Sequence, residues 1–132
     1  MRFDAWMVVV VVSIGVACVA DCSTARAETR KEQIIRLYGE GKYAAATELA
    51  KAELADNFKA LGPDHPGTAL SLNNLALLYY TQGKYDEAKP YYERALAIYE
   101  KALGPDHPST AQSLNNLARL REEQSKAAAN AK

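Results

Sequence analysis

Apolar residues recur every three or four positions along most of the chain after residue 28, which is the spacing of one face of an α-helix. Two such stripes, over residues 68–81 and 85–103, are the clearest. The first consists of Ala69, Leu72, Leu75, Ala76 and Tyr79, and the second of Tyr85, Ala88, Tyr92, Ala95, Leu96 and Tyr99. No alternating pattern indicates a strand there. The stripes predict two helices, with Ala88 and Ala95 at their contact.

Glycine and proline mark the ends of these helices. Gly83 interrupts the pattern after residue 81, and glycine tolerates the positive φ of a tight turn. Residues 104–108 read Gly-Pro-Asp-His-Pro, which cannot continue a helix. Ser109 or Thr110 is then the expected cap of the next helix. Pro90 lies inside the second helix, where we expect a kink or a loosened first turn.

Three segments recur at one offset of 42 residues. They are Ala60–Pro66 with Ala102–Pro108, Ser71–Ala76 with Ser113–Ala118, and Gly41–Tyr43 with Gly83–Tyr85. A shared period of this length indicates a repeat protein built from helix pairs. The same pattern predicts further helices over 29–38, over 43–61 and from 110 onward. The predicted domain spans residues 28–126, with repeats at about 28–67 and 68–109, a half repeat at 110–126, and a disordered Ala-rich tail at 127–132.

The first 27 residues have a different composition. A basic start precedes the apolar residues 5–20, and Ala25-Arg26-Ala27 ends the segment, as in a secretory signal peptide. Cleavage there predicts a periplasmic or secreted protein without cysteine. The alternative is a membrane anchor formed by residues 5–20, although a full span needs about 20 apolar residues.

Charge and motifs exclude several classes of function. Lys+Arg and Asp+Glu number 16 each, so the net charge is zero, whereas a nucleic-acid binder needs a basic surface. The chain lacks G-x-S-x-G, H-E-x-x-H, a phosphate-binding loop and C-x-x-C. His65 and His107 occupy equivalent loops roughly 10 Å apart, which is too far for one metal ion. We therefore expect neither an enzyme nor a cofactor, metal or small-molecule substrate.

The second period resembles the tetratricopeptide repeat, in which small residues let paired helices approach and aromatic residues fill the gaps. The residues that carry the resemblance are Leu75, Ala76, Tyr79, Gly83, Tyr85, Ala88, Tyr92 and Ala95. The Gly-Pro-Asp-His-Pro loop and Leu-Asn-Asn-Leu-Ala are similar to the repeats of kinesin light chains and their bacterial relatives. The resemblance implies an all-α fold, a short right-handed α-solenoid of antiparallel helix pairs with about 2.5 repeats. Gln33 and Glu53 depart from the pattern, since they stand where Leu75 and Ala95 stand one period later.

The resemblance also implies a concave groove lined by the first helix of each repeat. The candidate peptide-binding residues on these helices are Asn73, Asn74, Leu77, Tyr80, Asn115, Asn116 and Arg119. An asparagine amide both donates and accepts, so it suits an extended peptide backbone. We expect Asn73 and Asn115 to contact a ligand, whereas Asn74 and Asn116 either do so or tie adjacent helices together. Ile35, Tyr38 and Glu122 are the corresponding groove positions in the other repeats.

The expected function is protein–protein interaction, with a peptide or helix of another exported protein bound in the groove. The alternative is a homo-oligomer that assembles through an open C-terminal end. Leu114, Leu117 and Leu120 lie on the last helix, which has no following second helix to cover them.

Overall fold

The computed structural model describes residues 28–131. The predicted signal peptide at residues 1–27 and the final Lys132 lie outside the described residues. All regular secondary structure within 28–131 is helical. None of these helices is long and apolar enough to span a membrane.

The described residues fall into two units, 28–32 and 33–131. In the described part of the first unit, the side chains of Thr29 and Glu32 each accept a hydrogen bond from the backbone N–H of the other residue. The Thr29 N–H donates to Glu32 Oε2 at 2.7 Å, and the Glu32 N–H donates to Thr29 Oγ1 at 3.3 Å. This reciprocal pair is a capping box at a helix start.

Five helices follow one another with short connections. They are α1 (Arg30–Gly39), α2 (Tyr43–Leu61), α3 (Pro66–Thr81), α4 (Tyr85–Leu103) and α5 (Pro108–Asn130). Helices α2 and α4 have the predicted spans. Helices α3 and α5 begin two residues earlier than predicted, at Pro66 and Pro108, because proline fits the first helical position, where the N–H has no partner.

Histidine caps the two helices that follow the Gly-Pro-Asp-His-Pro loops. The Gly67 N–H donates to His65 Nδ1 at 2.9 Å, and the Ser109 N–H donates to His107 Nδ1 at 3.1 Å. Each imidazole therefore accepts one of the helix's free N–H groups, the role that Asn, Asp or Ser more often has.

The predicted cap at Ser109 or Thr110 is therefore wrong. Thr110 is fully buried, and its hydroxyl donates back to the Gly104 carbonyl at 2.8 Å. Thr68 makes the same 2.8 Å bond to the Gly62 carbonyl one period earlier. These threonines fasten the loop to the helix that follows it, because they lie one turn too far along the helix to cap it.

The turn between the helices of one repeat depends on glycine. Gly83 has a φ of +77°, a backbone conformation that residues with a side chain rarely adopt. In this turn the Lys84 N–H reaches back to the Tyr79 carbonyl at 2.9 Å, which closes the end of α3. Gly41, one period earlier, has the same conformation, with φ +75°.

The closest packing joins helices that are neighbours in sequence: α2 with α3, α3 with α4, and α4 with α5. Sequential packing of this kind produces a solenoid. The all-α solenoid of helix pairs expected from the sequence is thus confirmed.

Alanines lie where α3 and α4 meet. Ala76, Ala88 and Ala95 are all fully buried, which confirms the predicted contact faces. Tyrosines fill the space around them: Tyr79, Tyr92 and Tyr99 are buried, and Tyr85 packs partly buried against the same core. Small residues at the crossing let the two backbones approach closely, and the aromatic rings fill the gaps beside it.

Pro90 does not interrupt α4, which runs unbroken from Tyr85 to Leu103. Its ring is exposed. Pro90 lacks the N–H that would bond to the carbonyl four residues earlier, in the first turn. The missing hydrogen bond therefore lies at the exposed surface of the helix.

The first repeat departs from the pattern as its sequence indicated. In α1 the only buried residue is Ile34, and Glu53 of α2 is buried where the next repeat has Ala95. Polar contacts fasten this repeat to the next one. The Gln82 amide donates to Thr47 Oγ1 at 2.9 Å, across 35 residues of sequence.

Helix α5 extends through Asn130, into the segment for which the sequence predicted a disordered tail. Alanine has the highest helix propensity, so the Ala-rich segment continues the helix. Lys126 pairs with Glu122 and Glu123 at 3.0 and 3.2 Å, and the Gln124 amide donates to Asp86 of α4 at 2.8 Å.

The C-terminal end is less open than predicted. Leu117 and Leu120 are buried against the preceding core, with 4% and 0% of their surface exposed. Only Leu114 remains open, at 47%, whereas its equivalent Leu72 is 2% exposed beneath α4. The prediction that all three leucines lack cover is therefore wrong, because α4 already covers two of them.

The alanine contact predicts the effect of a larger side chain. Ala88→Leu should lower the free energy of unfolding by roughly 1–3 kcal/mol, because overpacking forces α3 and α4 apart. Urea unfolding measures the loss. Ala97→Leu, on the exposed side of the same helix, is the matched control and should change stability little. Equal stability of the two variants would contradict the assigned crossing.

The histidine caps predict a second stability effect. His107→Ala should cost about 1 kcal/mol, because the Ser109 N–H loses its acceptor. His107→Asn should recover most of the loss, since asparagine is a strong N-cap residue. Thermal unfolding of both variants, with the neighbouring exposed Asp106→Ala as control, tests the cap. An unaltered melting temperature for His107→Ala would show that the imidazole does not stabilise α5.

Candidate peptide-binding groove

A groove runs between α3 and α5, the first helices of the second and third repeats. It contains a cavity of about 100 Å³ lined by Leu70, Asn73, Asn74, Leu77, Tyr99, Ser109, Gln112 and Asn116. A second cavity, of about 10 Å³, is lined by Leu77, Tyr80, Tyr92, Asn116 and Arg119. Leu77 and Asn116 belong to both linings, so the cavities form one surface, here named the α3–α5 groove.

Asn73 ties the two sides of the groove together. Its Nδ2 donates to the hydroxyl of Ser113, which is fully buried, at 2.8 Å. Burial raises the pKa of the nearby Tyr99 hydroxyl, and hydrogen bonding to Asn73 partly offsets that rise. We expected Asn73 to be mainly a ligand contact, but half of its amide is engaged within the protein.

The other half of the Asn73 amide is not engaged. Its Oδ1 is buried and has no hydrogen-bond partner among residues 28–131. A buried acceptor without a donor costs about 1–3 kcal/mol. Asn73 therefore joins the two helices and lines the cavity, while its Oδ1 stays buried without a donor.

The side-chain amides of Asn74 and Asn116 are available to bind a ligand. Both line the 100 Å³ cavity, both are partly buried, and neither has a hydrogen-bond partner among the described residues. Asn115 is exposed and lines neither cavity. The tie between helices is thus made by the first asparagine of the α3 pair, and the second asparagine of each pair faces the groove.

Tyr80 and Arg119 close one end of the groove. The Arg119 guanidinium lies 5.7 Å from the centre of the Tyr80 ring, a cation–π arrangement that holds both side chains in place. Tyr92 lies beneath them, and burial raises its pKa to about 12. Its hydroxyl is protonated at neutral pH, as in any tyrosine, and can donate a hydrogen bond.

Charge is nearly absent from this surface. Helix α3 contains no charged residue in its 16 positions. Leu70 and Leu77 of α3 leave 45% and 39% of their surfaces exposed to the groove. Arg119 is the one charged residue that lines either cavity, and it has no ion-pair partner within residues 28–131.

Five lining residues were not among the sequence candidates: Leu70, Tyr92, Tyr99, Ser109 and Gln112. Two of them, Leu70 and Gln112, follow directly from helical spacing. Leu70 lies three and four positions before Asn73 and Asn74, so helical spacing alone places it on their face. Gln112 stands four positions before Asn116 by the same rule. The sequence therefore contains the signal for both residues, because each lies about one helical turn before an asparagine of the Leu-Asn-Asn-Leu-Ala segment.

The corresponding positions in the other repeats do not join the groove. Ile35 is 70% exposed and lines neither cavity, and the Tyr38 hydroxyl lies 3.4 Å from Thr81 Oγ1. Glu122 pairs with Lys126 on the exposed side of α5. Residues 28–131 contain no group of three or more His, Cys, Asp or Glu placed to hold a metal ion.

The Asn73–Ser113 bond can be measured by a double-mutant cycle. Asn73→Ala and Ser113→Ala should show a coupling of about 1 kcal/mol in the free energy of unfolding, because each change removes the same hydrogen bond. Asn115→Ala combined with Ser113→Ala is the matched control, with a coupling near zero expected. Additive effects of Asn73→Ala and Ser113→Ala would mean that the bond does not stabilise the protein.

Comparison with known proteins agrees with this architecture. Residues 68–109, which comprise α3 and α4, match a protein-family model described as tetratricopeptide repeat. A search among functionally characterised proteins returned no match. Repeats of this kind generally mediate protein–protein interactions.

The chain is similar to several solved structures, including two of one protein. One is the crystal structure of a Podosopora anserina putative kinesin light chain with nearly identical TPR-like repeats, and the other is a single-substitution variant of it. Each is 31% identical, with TM-scores of 0.67 and 0.68, over 74% of this chain and 46% of the other. The chain therefore spans less than half the length of those proteins. It has the tetratricopeptide-type solenoid fold, with one tetratricopeptide repeat assigned to residues 68–109.

Proposed function

We propose that the α3–α5 groove binds an extended peptide segment of another protein, and that binding rather than catalysis is the function of the chain. The observation that carries the proposal is the set of unsatisfied amide groups in an uncharged groove. Asn73 Oδ1 is a buried acceptor without a donor, and the Asn74 and Asn116 amides have no partner among the described residues.

These amides suit a peptide backbone because they present both donors and acceptors. An extended peptide offers one N–H and one C=O at each residue, with neither engaged internally. The N–H and C=O groups of such a peptide can pair with the side-chain amides of Asn74 and Asn116, which have no partner among the described residues. Asn74 on α3 and Asn116 on α5 face the same cavity, so one ligand can contact both sides of the groove.

The side chains of the groove indicate the kind of segment that fits. Exposed leucines flank the 100 Å³ cavity, so we infer that it admits an aliphatic side chain of the peptide. Because α3 has no charge, a highly charged segment would gain little there. Arg119, at the Tyr80 end, would accommodate a single carboxylate.

The proposed location follows from the N-terminal segment. Residues 1–27 have the basic start, apolar centre and Ala-x-Ala end of a secretory signal peptide. The partner would then be another exported protein, met in the periplasm or outside the cell. A retained anchor at residues 5–20 would instead place the groove at a membrane surface.

The proposal predicts that groove and non-groove leucines differ in their effect on binding. The full chain is used to capture partners from its native envelope, and the bound segment is mapped and synthesised. Leu77→Glu should weaken binding of that peptide at least about tenfold, because a buried leucine contact worth about 1.5–3 kcal/mol is replaced by a desolvated charge.

Leu103→Glu is the matched control. Leu103 is 37% exposed against 39% for Leu77, but it lies at the end of α4 and lines neither cavity. We expect Leu103→Glu to bind as the unmodified chain does, and both variants to keep its melting temperature. Equal affinity for Leu77→Glu and the unmodified chain would show that the α3–α5 groove is not the binding site.

A further inference from the structure

A shallow, open depression lies along α4 on a surface separate from the groove. Its volume is about 470 Å³, and it is lined by Tyr79, Glu87, Pro90, Tyr91 and Arg94. Four of these residues follow one face of α4, at spacings of three and four. This set, Glu87, Pro90, Tyr91 and Arg94, is here named the α4 stripe. None of its members lines the α3–α5 groove.

The two ends of the α4 stripe carry opposite and unpaired charges. Glu87 and Arg94 are both exposed, and neither has an ion-pair partner among the described residues. They cannot neutralise each other easily, because seven residues of helix separate their backbones by about 10 Å. The Arg94 guanidinium is positioned instead over the Phe58 ring of α2, 5.4 Å from its centre.

The middle of the stripe is apolar and held in place. The Tyr91 ring stacks on Tyr79 of α3, with centres 5.6 Å apart and planes within 11° of parallel. The Pro90 ring beside it is exposed and has no backbone N–H that requires a partner. A partly apolar centre between two charges of opposite sign resembles the core and rim of a protein interface.

The order of these residues is self-complementary. The midpoint between Pro90 and Tyr91 is also the midpoint between Glu87 and Arg94. An antiparallel second α4, related by a two-fold axis through that point, brings each Glu87 opposite the Arg94 of the other copy. The same axis sets Lys84 opposite the uncharged Ala97, so like charges do not meet. Such an interface is isologous and closes on itself.

From this arrangement we propose that the α4 stripe docks on the α4 stripe of a second copy of the chain, forming a two-fold symmetric dimer. The apolar pair fills the middle of the interface, and two equivalent Glu87–Arg94 ion pairs set the antiparallel register. The α3–α5 groove stays open in both copies, so the dimer presents two grooves. This surface replaces the C-terminal end as the place of self-association, since that end exposes only Leu114 among its three leucines.

Charge reversal tests the proposal, with self-association of the full chain measured by sedimentation equilibrium. In Glu87→Arg, arginines face each other at both pairs, and in Arg94→Glu, glutamates do. Each variant alone should self-associate roughly tenfold or more weakly than the unmodified chain. An equal mixture of the two restores opposite charges at both pairs, so it should form a heterodimer of near-original strength.

Glu93→Arg is the matched control, because it makes the same charge change at an exposed position about 110° around the helix from the stripe. It should associate as the unmodified chain does, and all variants should keep its melting temperature. The proposal is overturned if the unmodified chain stays monomeric up to about 1 mM. It is also overturned if the mixture associates no better than either variant alone.

The outcome is independent of peptide binding. Leu77→Glu lies in the groove and should dimerise normally, whereas Glu87→Arg should bind peptide normally. Loss of dimerisation in Leu77→Glu would contradict the separation of the two surfaces. Failure of one proposal therefore leaves the other to be judged by its own variants.

Discussion

The close contact between α3 and α4 is the constraint on which the rest of the structure depends. Ala76, Ala88 and Ala95 are fully buried there, and no larger side chain could keep the helices at that separation. The contact directs the apolar face of α3 toward α4 and α2. The polar face of α3, with its two asparagines and exposed leucines, is thereby left toward α5. The position of the groove therefore follows from the alanine contact, because that contact fixes which face of α3 points toward α5.

Two further sets of bonds position α5 on the other side of the groove. The loop before it is held by Thr110 and capped by His107, as the loop before α3 is held by Thr68 and capped by His65. Asn73 then joins α3 directly to Ser113 of α5. The groove is therefore bounded by helices that are fixed at their starts and tied across its floor. A rigid groove loses less entropy when it orders a peptide.

The helices and the core could be predicted well from the sequence, because both follow from spacing within one segment. The burial of Ala88, Ala95 and Tyr92 could be inferred from one helical stripe. The residue of a neighbouring helix that each polar side chain contacts could not be predicted in this way. Adjacent asparagines differ by about 100° around a helix, and which of Asn73 and Asn74 reaches α5 depends on where α5 lies.

Two predictions about the fold are wrong for related reasons. A threonine after a loop is ordinarily a cap, and only the folded loop shows that the Thr110 hydroxyl returns to Gly104 while His107 accepts the free N–H. Leu117 was expected to be open because the helix that would follow is missing from the described solenoid. It is buried instead by helices that precede it. The residues that bury Leu117 lie on other helices, whereas Thr110 bonds to the adjacent loop, whose backbone conformation a residue pattern does not give.

The α3–α5 groove is the surface on which we propose that a partner binds. Side-chain amide resonances report such binding most directly, in an NMR titration of the labelled chain with the mapped partner peptide. We expect the amide signals of Asn74 and Asn116 to shift together and saturate at one peptide per chain, while that of Asn115 stays in place. Shifts confined to the backbone signals of Glu87, Tyr91 and Arg94, with the Asn74 and Asn116 amides unmoved, would contradict binding in the groove.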